Sequence, residues 1–474
     1  ATVHFPIWHQ EIQDIIVLKN NKGSEDNRVR KLDYSIQISK LFYERFIQNK
    51  EITLFSPHDC PGLYESFGTD KFDDLYCSYE SDESVPRTTI GAQELILDLL
   101  KERAETGRIY IMNIDHCNTH SSFKDKVEMS NLCQEITLPT RPIQHIDDHL
   151  GEIALCILSA VNVGKIRSDE ELEELCELSV RGLEELIDYQ DYPVLAAEMA
   201  TKARRSLGVG FIGLAHYLAK LGYKYDSQDA WDAVHGLSES FQYYLLKASN
   251  KIAQEKTHCE NFGRTKYADG ILPIDTYKKD VDEICSQPLQ HDWESLRNDI
   301  TTYGLRHSTL SAQMPSESSS VVSNATNGIE PPRDYLSIKK SKKGPLKQVV
   351  PSYNTLKNNY TLLWDMESNK GYVNVVAVMQ KFFDQAISGN WSYNPQHFEG
   401  SEVPTSVMAQ DLLTTYKYGW KTSYYQNTYD AKTDDVELSI ANDEEVGIQG
   451  KTKLNSLLDE LSKVDEEECE SCAI

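Results

Sequence analysis

Short runs at residues 153–159, 208–214 and 317–323, the last apolar only at Val321 and Val322, alternate along this chain with segments whose hydrophobic residues recur at helical spacing. Such runs read as buried strands, and strands alternating with helices imply an α/β architecture. The alternation leaves the strand order open. The opening segment reads as a helix: Pro6 suits a first turn, Trp8, Ile12, Ile15 and Ile16 form a stripe, and Asn20-Asn21-Lys22-Gly23 stops it. A second helix is expected over about Asp33 to Gln48. A third covers residues 91–105, ending at Thr106-Gly107 before the strand-like Arg108-Ile109-Tyr110-Ile111-Met112. Ser168 with Glu171 makes a capping box, followed by Leu172, Leu175, Cys176, Leu183, Leu186 and Ile187 at helical spacing. No internal repeat is visible.

With 474 residues, 40% of them hydrophobic, the chain can bury a substantial core, as roughly three domains or as one large barrel with additions. No apolar run reaches the ~18 residues that a membrane span needs. The start, Ala1-Thr2-Val3-His4-Phe5-Pro6-Ile7-Trp8, lacks the basic-then-apolar layout of a signal peptide, so the chain is expected to be cytoplasmic. A formal net charge of -26 argues against a nucleic acid polymer as partner. It leaves room for one small anionic substrate, because a local cradle of N–H and hydroxyl groups can oppose the global field. Ten cysteines in such a chain are not a disulfide scaffold; most are expected to be reduced, with a few available for redox chemistry.

After residue 430 acidic residues dominate and large apolar residues thin out, which predicts a flexible acidic tail over 431–474. A short amphipathic helix through Leu454, Leu457, Leu458 and Leu461 interrupts it. Lys339-Lys340-Ser341-Lys342-Lys343, next to Gly344-Pro345, reads as a solvated turn rather than a phosphate patch.

The residues that carry chemistry begin with Asn131-Leu132-Cys133-Gln134-Glu135, followed by Cys156. In an extended or looped backbone, positions i, i+2 and i+4 face one side, so Asn131, Cys133 and Glu135 can meet one small polar substrate. An isolated Cys-x-Glu is more often a buried cysteine beside a surface carboxylate. Four hydroxyl side chains, Ser316, Ser318, Ser319 and Ser320, surround Glu317 at a bend where backbone N–H groups and serines can cradle a diphosphate; no Gly-Lys-Ser/Thr follows, so it is not a P-loop. Adjacent Tyr424 and Tyr425 fit either ordinary strand positions or a relay of stacked phenols. Cys469-Glu470-Ser471-Cys472 has no second ligand pair nearby for zinc and is better explained as a thiol-exchange dithiol. His116-Cys117-Asn118-Thr119-His120 is read as packing rather than metal binding, and no metal is expected. Cys60, Cys77, Cys176, Cys259 and Cys285 carry no motif.

These stretches, with Asn324-Ala325-Thr326-Asn327-Gly328-Ile329-Glu330-Pro331-Pro332-Arg333 and Tyr424-Tyr425-Gln426-Asn427-Thr428, resemble the aerobic (class Ia) ribonucleoside-diphosphate reductase large (α) subunit from residue 1 to about residue 430. The resemblance implies a ten-stranded α/β barrel of two parallel halves, with Cys133 on a central finger loop. It implies a thiyl radical on Cys133, Glu135 as general base, Asn131 holding the ribose hydroxyls, and Cys156 as one of two reducing thiols. It places the substrate phosphates against Ser316, Glu317, Ser318 and Ser319, where many relatives have threonine at the Ser318 position. Tyr424 and Tyr425 would pass a radical from the di-iron tyrosyl centre of a small (β) subunit; no cofactor would bind this chain directly. Cys469 and Cys472 would take electrons from thioredoxin or glutaredoxin, although the spacing of the family's terminal cysteines is often wider.

The second reducing thiol, the nucleotide-sensing cone and most of the effector (ATP/dNTP) site belong, in the family, upstream of the match to Ala1-Thr2. The expectation is therefore a split-gene half, with residues 1–430 as the C-terminal portion of the barrel, active only in a hetero-oligomer with an N-terminal chain and the small subunit. The competing readings are another radical or dithiol oxidoreductase using Cys133 and Cys156, and a catalytically silent regulatory remnant of the same fold.

Overall fold

The computed structural model describes residues 1–341 and 344–430. The expectations for the acidic tail, the helix near 454–464 and the Cys469/Cys472 pair lie outside the described residues, as do Lys342 and Lys343 of the basic run. The described part of that run departs from the expected turn: Lys339, Lys340 and Ser341 end a strand, Leu336–Ser341, paired antiparallel with Gly344–Val349.

Strands Thr2–Pro6, Asp33–Ile38 and Ile109–Asn113 lie parallel in that order, and Thr422–Ser423 adds antiparallel to Ile109–Asn113. Ile157–Asn162 pairs parallel with Leu207–Ile212. Single parallel bridges lead onward from this pair, from Val209 to Ser311 and from Gln313 to Ile387. The Tyr424 N–H then donates to the Gly389 carbonyl at 2.7 Å, and the Thr422 hydroxyl to the Ile387 carbonyl at 3.0 Å. The stretches 309–313 and 385–389 thus join the two sheets into one open wall. Thr2–Pro6 and Ile157–Asn162 are its outer strands, and among the described residues no barrel is closed. The protein is a mixed α/β fold.

Asp33–Ile38 and Ile109–Asn113 are buried at every position, as parallel strands covered on both faces must be. Close approach sets two glycines: a Cβ on Gly210 would lie 2.6 Å from the Ala312 carbonyl oxygen, and one on Gly208 would lie 2.9 Å from Cys156 Sγ. Helices Ala92–Thr106, Gln228–Lys256 and Lys370–Gln380 pack around the wall, the last buried at every residue from Gly371 onward.

Four further expectations of local structure change. The opening segment is a strand, Thr2–Pro6, followed by a short helix, Ile12–Ile16. The stretch expected to be one helix from Asp33 splits into strand Asp33–Ile38 and helix Lys40–Ile47, with the break at the extended Ser39. The strand does alternate, Tyr34, Ile36 and Ile38 against Asp33, Ser35 and Gln37, but Tyr34, Ile38, Leu41 and Phe42 also recur at helical spacing and merge with the following helix. The run 317–323 is a helix, Glu317–Val322, in which Val322 is 87% exposed; two valines at its end mimic a strand, but nothing covers both of its faces. The run at 153–159 becomes a strand only from Ile157.

The helix Asp169–Tyr189 follows its signals. Ser168 Oγ accepts from the Glu171 N–H at 3.3 Å, while the Glu171 carboxylate reaches one residue further back, to the Arg167 N–H at 2.7 Å. Leu172, Cys176, Val180, Leu183 and Ile187 face inward. Leu186, expected on the stripe, is 45% exposed. Removing the cap by Ser168→Ala is expected to lower stability by about 1 kcal/mol, read as a drop in the urea midpoint at unchanged slope.

Candidate active site

The segment from Ser130 to Thr137 is a tight loop rather than an extended run. The Gln134 N–H donates to the Asn131 carbonyl at 3.3 Å, and Gln134 adopts a left-handed φ of 74°. Such a backbone costs a non-glycine residue about 1–2 kcal/mol, and three bonds hold it in place. Gln134 Oε1 accepts from the Ser35 hydroxyl at 2.9 Å, Gln134 Nε2 donates to the Asn131 carbonyl at 3.1 Å, and the Gln134 carbonyl accepts from the Thr422 hydroxyl at 2.9 Å. The turn, not strand alternation, is what brings Asn131 and Glu135 together. Asn131 Oδ1 accepts from the Ile136 N–H at 3.1 Å, and its carboxamide also bonds the Glu135 carboxyl.

Glu135 is buried, 2% exposed, and its Oε2 accepts from the Ser388 hydroxyl at 3.1 Å; the same hydroxyl reaches the Cys133 carbonyl at 2.6 Å. Burial pushes the Glu135 carboxyl above its ordinary range, and the bonds from Asn131, its own backbone N–H and Ser388 pull it partly back. A carboxylate raised in this way is a competent proton acceptor. The Cys133 thiol is half-buried. Burial pushes it up, the Glu135 charge adds to that, and the Tyr424 hydroxyl, donating to Cys133 Sγ at 3.4 Å, pulls it down.

Tyr424 and Tyr425 stack with ring centroids 3.7 Å apart and an interplanar angle of 29°. Tyr110 sits 4.9 Å from Tyr424, and the Arg108 guanidinium lies 4.5 Å over the Tyr425 ring. Behind them the fully buried Arg103 donates to the carbonyls of Ile109, Tyr424 (2.7 Å) and Tyr425 (3.2 Å) and lies 4.5 Å over Trp391. Burial lowers its guanidinium to about 10.

Cys156 enters the site through Gln385. Gln385 Nε2 donates to Cys156 Sγ at 3.5 Å, and Gln385 Oε1 accepts from the Thr137 N–H at 3.3 Å, at the end of the Cys133 loop. Burial pushes the Cys156 thiol well up, and the carboxylates of Glu135 and Asp384 add to that. The carbonyls of Phe383, Asp384 and Gln385 accept from Lys421 Nζ at 3.4, 2.9 and 2.9 Å. That ammonium has no surface exposure, and burial lowers it to about 7.

The bend at 315–320 follows directly on the stretch 309–313. Ser316 and Ser320 are buried, while Glu317, Ser318 and Ser319 are exposed on the first turn of helix Glu317–Val322. Ser320 Oγ accepts from the Gly328 N–H at 3.3 Å, which ties this turn to the 324–333 segment. The histidines of 116–120 are packed into the interior: His116 Nδ1 pairs with the Trp420 carbonyl at 3.0 Å and its ring stacks on Tyr416, and His120 bridges Thr276 and the Gln380 carbonyl. Among the described residues no cluster of three or more His, Cys, Asp or Glu side chains could hold a metal, and all eight described cysteines are free. No helix of the described residues is long and apolar enough to cross a membrane.

Sequence reasoning missed Ser388, Gln385, Lys421 and Arg103. Each is a single polar residue with no local pattern, and its partners lie far away along the chain.

The family model "Ribonucleotide reductase, barrel domain" matches residues 1–426. The chain is 59% identical over 439 residues to the ribonucleoside-diphosphate reductase subunit alpha of Haemophilus influenzae, a match covering 92% of this chain and 58% of that protein. It is 54% identical over 451 residues to the ribonucleoside-diphosphate reductase 1 subunit alpha of Escherichia coli, covering 94% of this chain and 59% of that protein. It is 44% identical over 449 residues to the corresponding subunit of Enterobacteria phage T4, covering 92% and 59%. The chain therefore spans little more than half the length of these relatives.

The buried lysine makes a pH prediction. Its folded value of about 7 lies below the ordinary lysine value of 10.5, so between these limits the unfolded chain binds more protons than the folded one. The lysine's contribution to stability must then rise with pH across that window and level off above it. Subtracting the Lys421→Met profile from the parent's, in urea unfolding at several pH values, should give that upward slope. A flat difference contradicts it.

Proposed function

The chain belongs to the ribonucleotide reductase barrel-domain family, and from that membership we propose that it carries the catalytic side chains of a ribonucleoside-diphosphate reductase α subunit. The substrate is a ribonucleoside diphosphate. Cys133, as a thiyl radical, takes the hydrogen from C3′ of the ribose: the S–H bond forms and the C–H bond breaks. Glu135 accepts the 3′-hydroxyl proton while Asn131 orients the hydroxyls. The 2′-hydroxyl leaves as water, and Cys156 with a second thiol supplies two electrons and two protons, ending as a disulfide. Cys133 then returns the hydrogen to C3′. The exposed first turn at Glu317, Ser318 and Ser319, with Ser316 beneath it, meets the diphosphate, since helix N-termini present N–H groups to anions.

The observation that carries this reading is the stack Tyr425–Tyr424 ending in an O–H···S bond on Cys133. A merely structural cysteine has no use for an ordered phenol donating to its sulfur with a second phenol stacked behind it. The oxidising equivalent comes from the tyrosyl radical beside a di-iron centre in a separate small subunit. Tyr425, the outer member of the pair, takes it up, and Tyr424 hands it to Cys133 as its own phenolic proton returns. The depth of Tyr424 supports proton-coupled transfer: burial raises its hydroxyl well above the ordinary phenol range, so a bare phenolate is disfavoured. Thioredoxin or glutaredoxin restores the thiols through Cys469 and Cys472.

Tyr424→Phe keeps the ring and loses the transferable proton. In the complex with the N-terminal portion of the α subunit and the small subunit it is expected to lower deoxynucleotide formation by about a hundredfold or more without weakening substrate binding, and Cys133→Ser is expected to abolish it. Turnover by Tyr424→Phe within about twofold of the parent would sink the relay. The double variant Cys469→Ser, Cys472→Ser should retain turnover with dithiothreitol and lose it with thioredoxin; equal behaviour with both reductants rules out the shuttle.

A further inference from the structure

We propose that Gln385 is a positioning residue that directs an N–H at the Cys156 sulfur, so that negative charge appearing on that sulfur is stabilised. Gln385 has no surface exposure, and its carboxamide is fully engaged. Nε2 donates to the Leu207 carbonyl at 2.9 Å and to Cys156 Sγ at 3.5 Å, and Oε1 accepts from the Thr137 N–H at 3.3 Å. These partners decide which way the amide faces. Turned over, it would set its oxygen against the Leu207 carbonyl and its NH2 against the Thr137 N–H, losing both bonds. The donor toward sulfur is therefore imposed by two backbone groups and is not an arbitrary choice of amide orientation.

The main chain of Gln385 is equally constrained. Its N–H donates to the Ser311 carbonyl at 3.1 Å, and its carbonyl accepts from Gln380 Nε2 and Lys421 Nζ, each at 2.9 Å. On the far side of the sulfur, Gly208 leaves the space that a Cβ would fill at 2.9 Å. The charged groups acting on the sulfur are the carboxylates of Glu135 and Asp384, which oppose a thiolate, and Gln385 is the group that counters them.

The consequence concerns the thiol chemistry proposed for Cys156 and rests on that reading for its purpose. When an incoming thiolate of a dithiol reductant bonds to the partner sulfur, the S–S bond breaks and Cys156 departs with the electron pair, later taking a proton from solvent. The Gln385 N–H faces the sulfur at that moment. Because the same carboxamide holds Thr137, it also ties the position of this sulfur to the loop that carries Cys133 and Glu135.

The test is alkylation of the full chain by iodoacetamide, followed at Cys156 and Cys133 separately by peptide mass spectrometry. The thiolate displaces iodide, so below the thiol's titration the rate at about pH 8.5 is proportional to the thiolate fraction. Gln385→Met keeps the length and removes the donor: Cys156 is expected to react about tenfold more slowly, equivalent to about one unit of pKa, with Cys133 changed by less than about twofold. Gln385→Glu keeps an acceptor for Thr137 but turns a carboxylate toward the sulfur, so it should slow Cys156 further, and it carries the test if the methionine variant does not fold. An unchanged or faster Cys156 rate in a folded variant, or an equal slowing of both cysteines, overturns the proposal. Alkylation needs neither turnover nor a small subunit, so this outcome is separate from the Tyr424→Phe result that tests the reductase reading.

Discussion

Lys421 brings an ammonium into the interior and gives all three of its donors to the carbonyls of Phe383, Asp384 and Gln385. Taking such an ion out of water costs several kcal/mol after relaxation. Carbonyl dipoles offset only part of that, which is why the group falls to about 7. The carbonyls it serves lie in the non-helical stretch just after helix Lys370–Gln380, while the Ala377, Met379 and Gln380 carbonyls of that helix are taken by the N–H groups of Lys381, Phe382 and Phe383 and by His120. By bonding three successive carbonyls the lysine fixes the stretch on which the site hangs. Asp384, in the same stretch, accepts from the N–H groups of Leu310 and Ser311, each at 2.9 Å, and from the Tyr267 hydroxyl at 2.8 Å. Gln385 holds Cys156, the Ala386 N–H donates to the Glu135 carbonyl at 3.0 Å, and Ser388 holds Cys133 and Glu135. All of these contacts start from one run of residues, 383–388.

The two sulfurs are prepared differently by that run and its neighbours. Cys133 receives an O–H from a tyrosine, a donor that can give up a proton together with an electron. Cys156 receives an N–H from a carboxamide, a donor that cannot. The first contact suits a one-electron event and the second suits stabilisation of charge during two-electron thiol exchange. Glu135 lies close enough to both sulfurs to oppose their ionisation, so neither thiol is held as a thiolate at rest.

Much of the candidate site was legible because it is written in short patterns. The Asn131–Glu135 segment, the Tyr424-Tyr425 pair and the Ser168 cap each reveal themselves within five residues. The expected grouping of Asn131, Cys133 and Glu135 rested on strand-like alternation, whereas the structure achieves it with a left-handed Gln134. That conformation depends on Ser35 and Thr422, partners that no local pattern announces. Strand Asp33–Ile38 alternates polar and apolar residues, but it escaped because Tyr34, Ile38, Leu41 and Phe42 also recur at helical spacing and run on into the following helix. Helix Glu317–Val322 escaped because a serine-rich first turn followed by valines carries a helix only when its ends are held, here by Ser316, Ser320 and Gly328. Lys421, Arg103 and Gln385 escaped for a shared reason: each satisfies buried backbone groups of other elements, and such groups exist only once the chain is folded.

The tyrosine pair shows what this satisfaction accomplishes. Two rings 3.7 Å apart stay stacked only if both backbones are fixed, since a shift of either would separate them. The Tyr424 N–H goes to the Gly389 carbonyl at 2.7 Å, and the Tyr425 N–H goes to Asn390 Oδ1 at 2.9 Å. Both carbonyls accept from Arg103, and the Tyr425 carbonyl also accepts from the Trp391 N–H at 2.9 Å. Asn390 in turn is held by the Glu330 carboxyl, which burial raises above its ordinary range. Every main-chain donor and acceptor of the pair is therefore occupied by a buried group, and movement is confined to the side-chain torsions. On the Cys133 side, Tyr424 is further pinned by its bond to sulfur. The freedom that remains belongs to the Tyr425 ring, which is partly exposed and lies between Tyr424 on one side and the Arg108 guanidinium at 4.5 Å, with Tyr110 at 5.9 Å. A relay needs a rigid inner step, where distance governs transfer, and an outer member able to adjust to whatever delivers the oxidising equivalent. The backbone bonding divides the pair in that way.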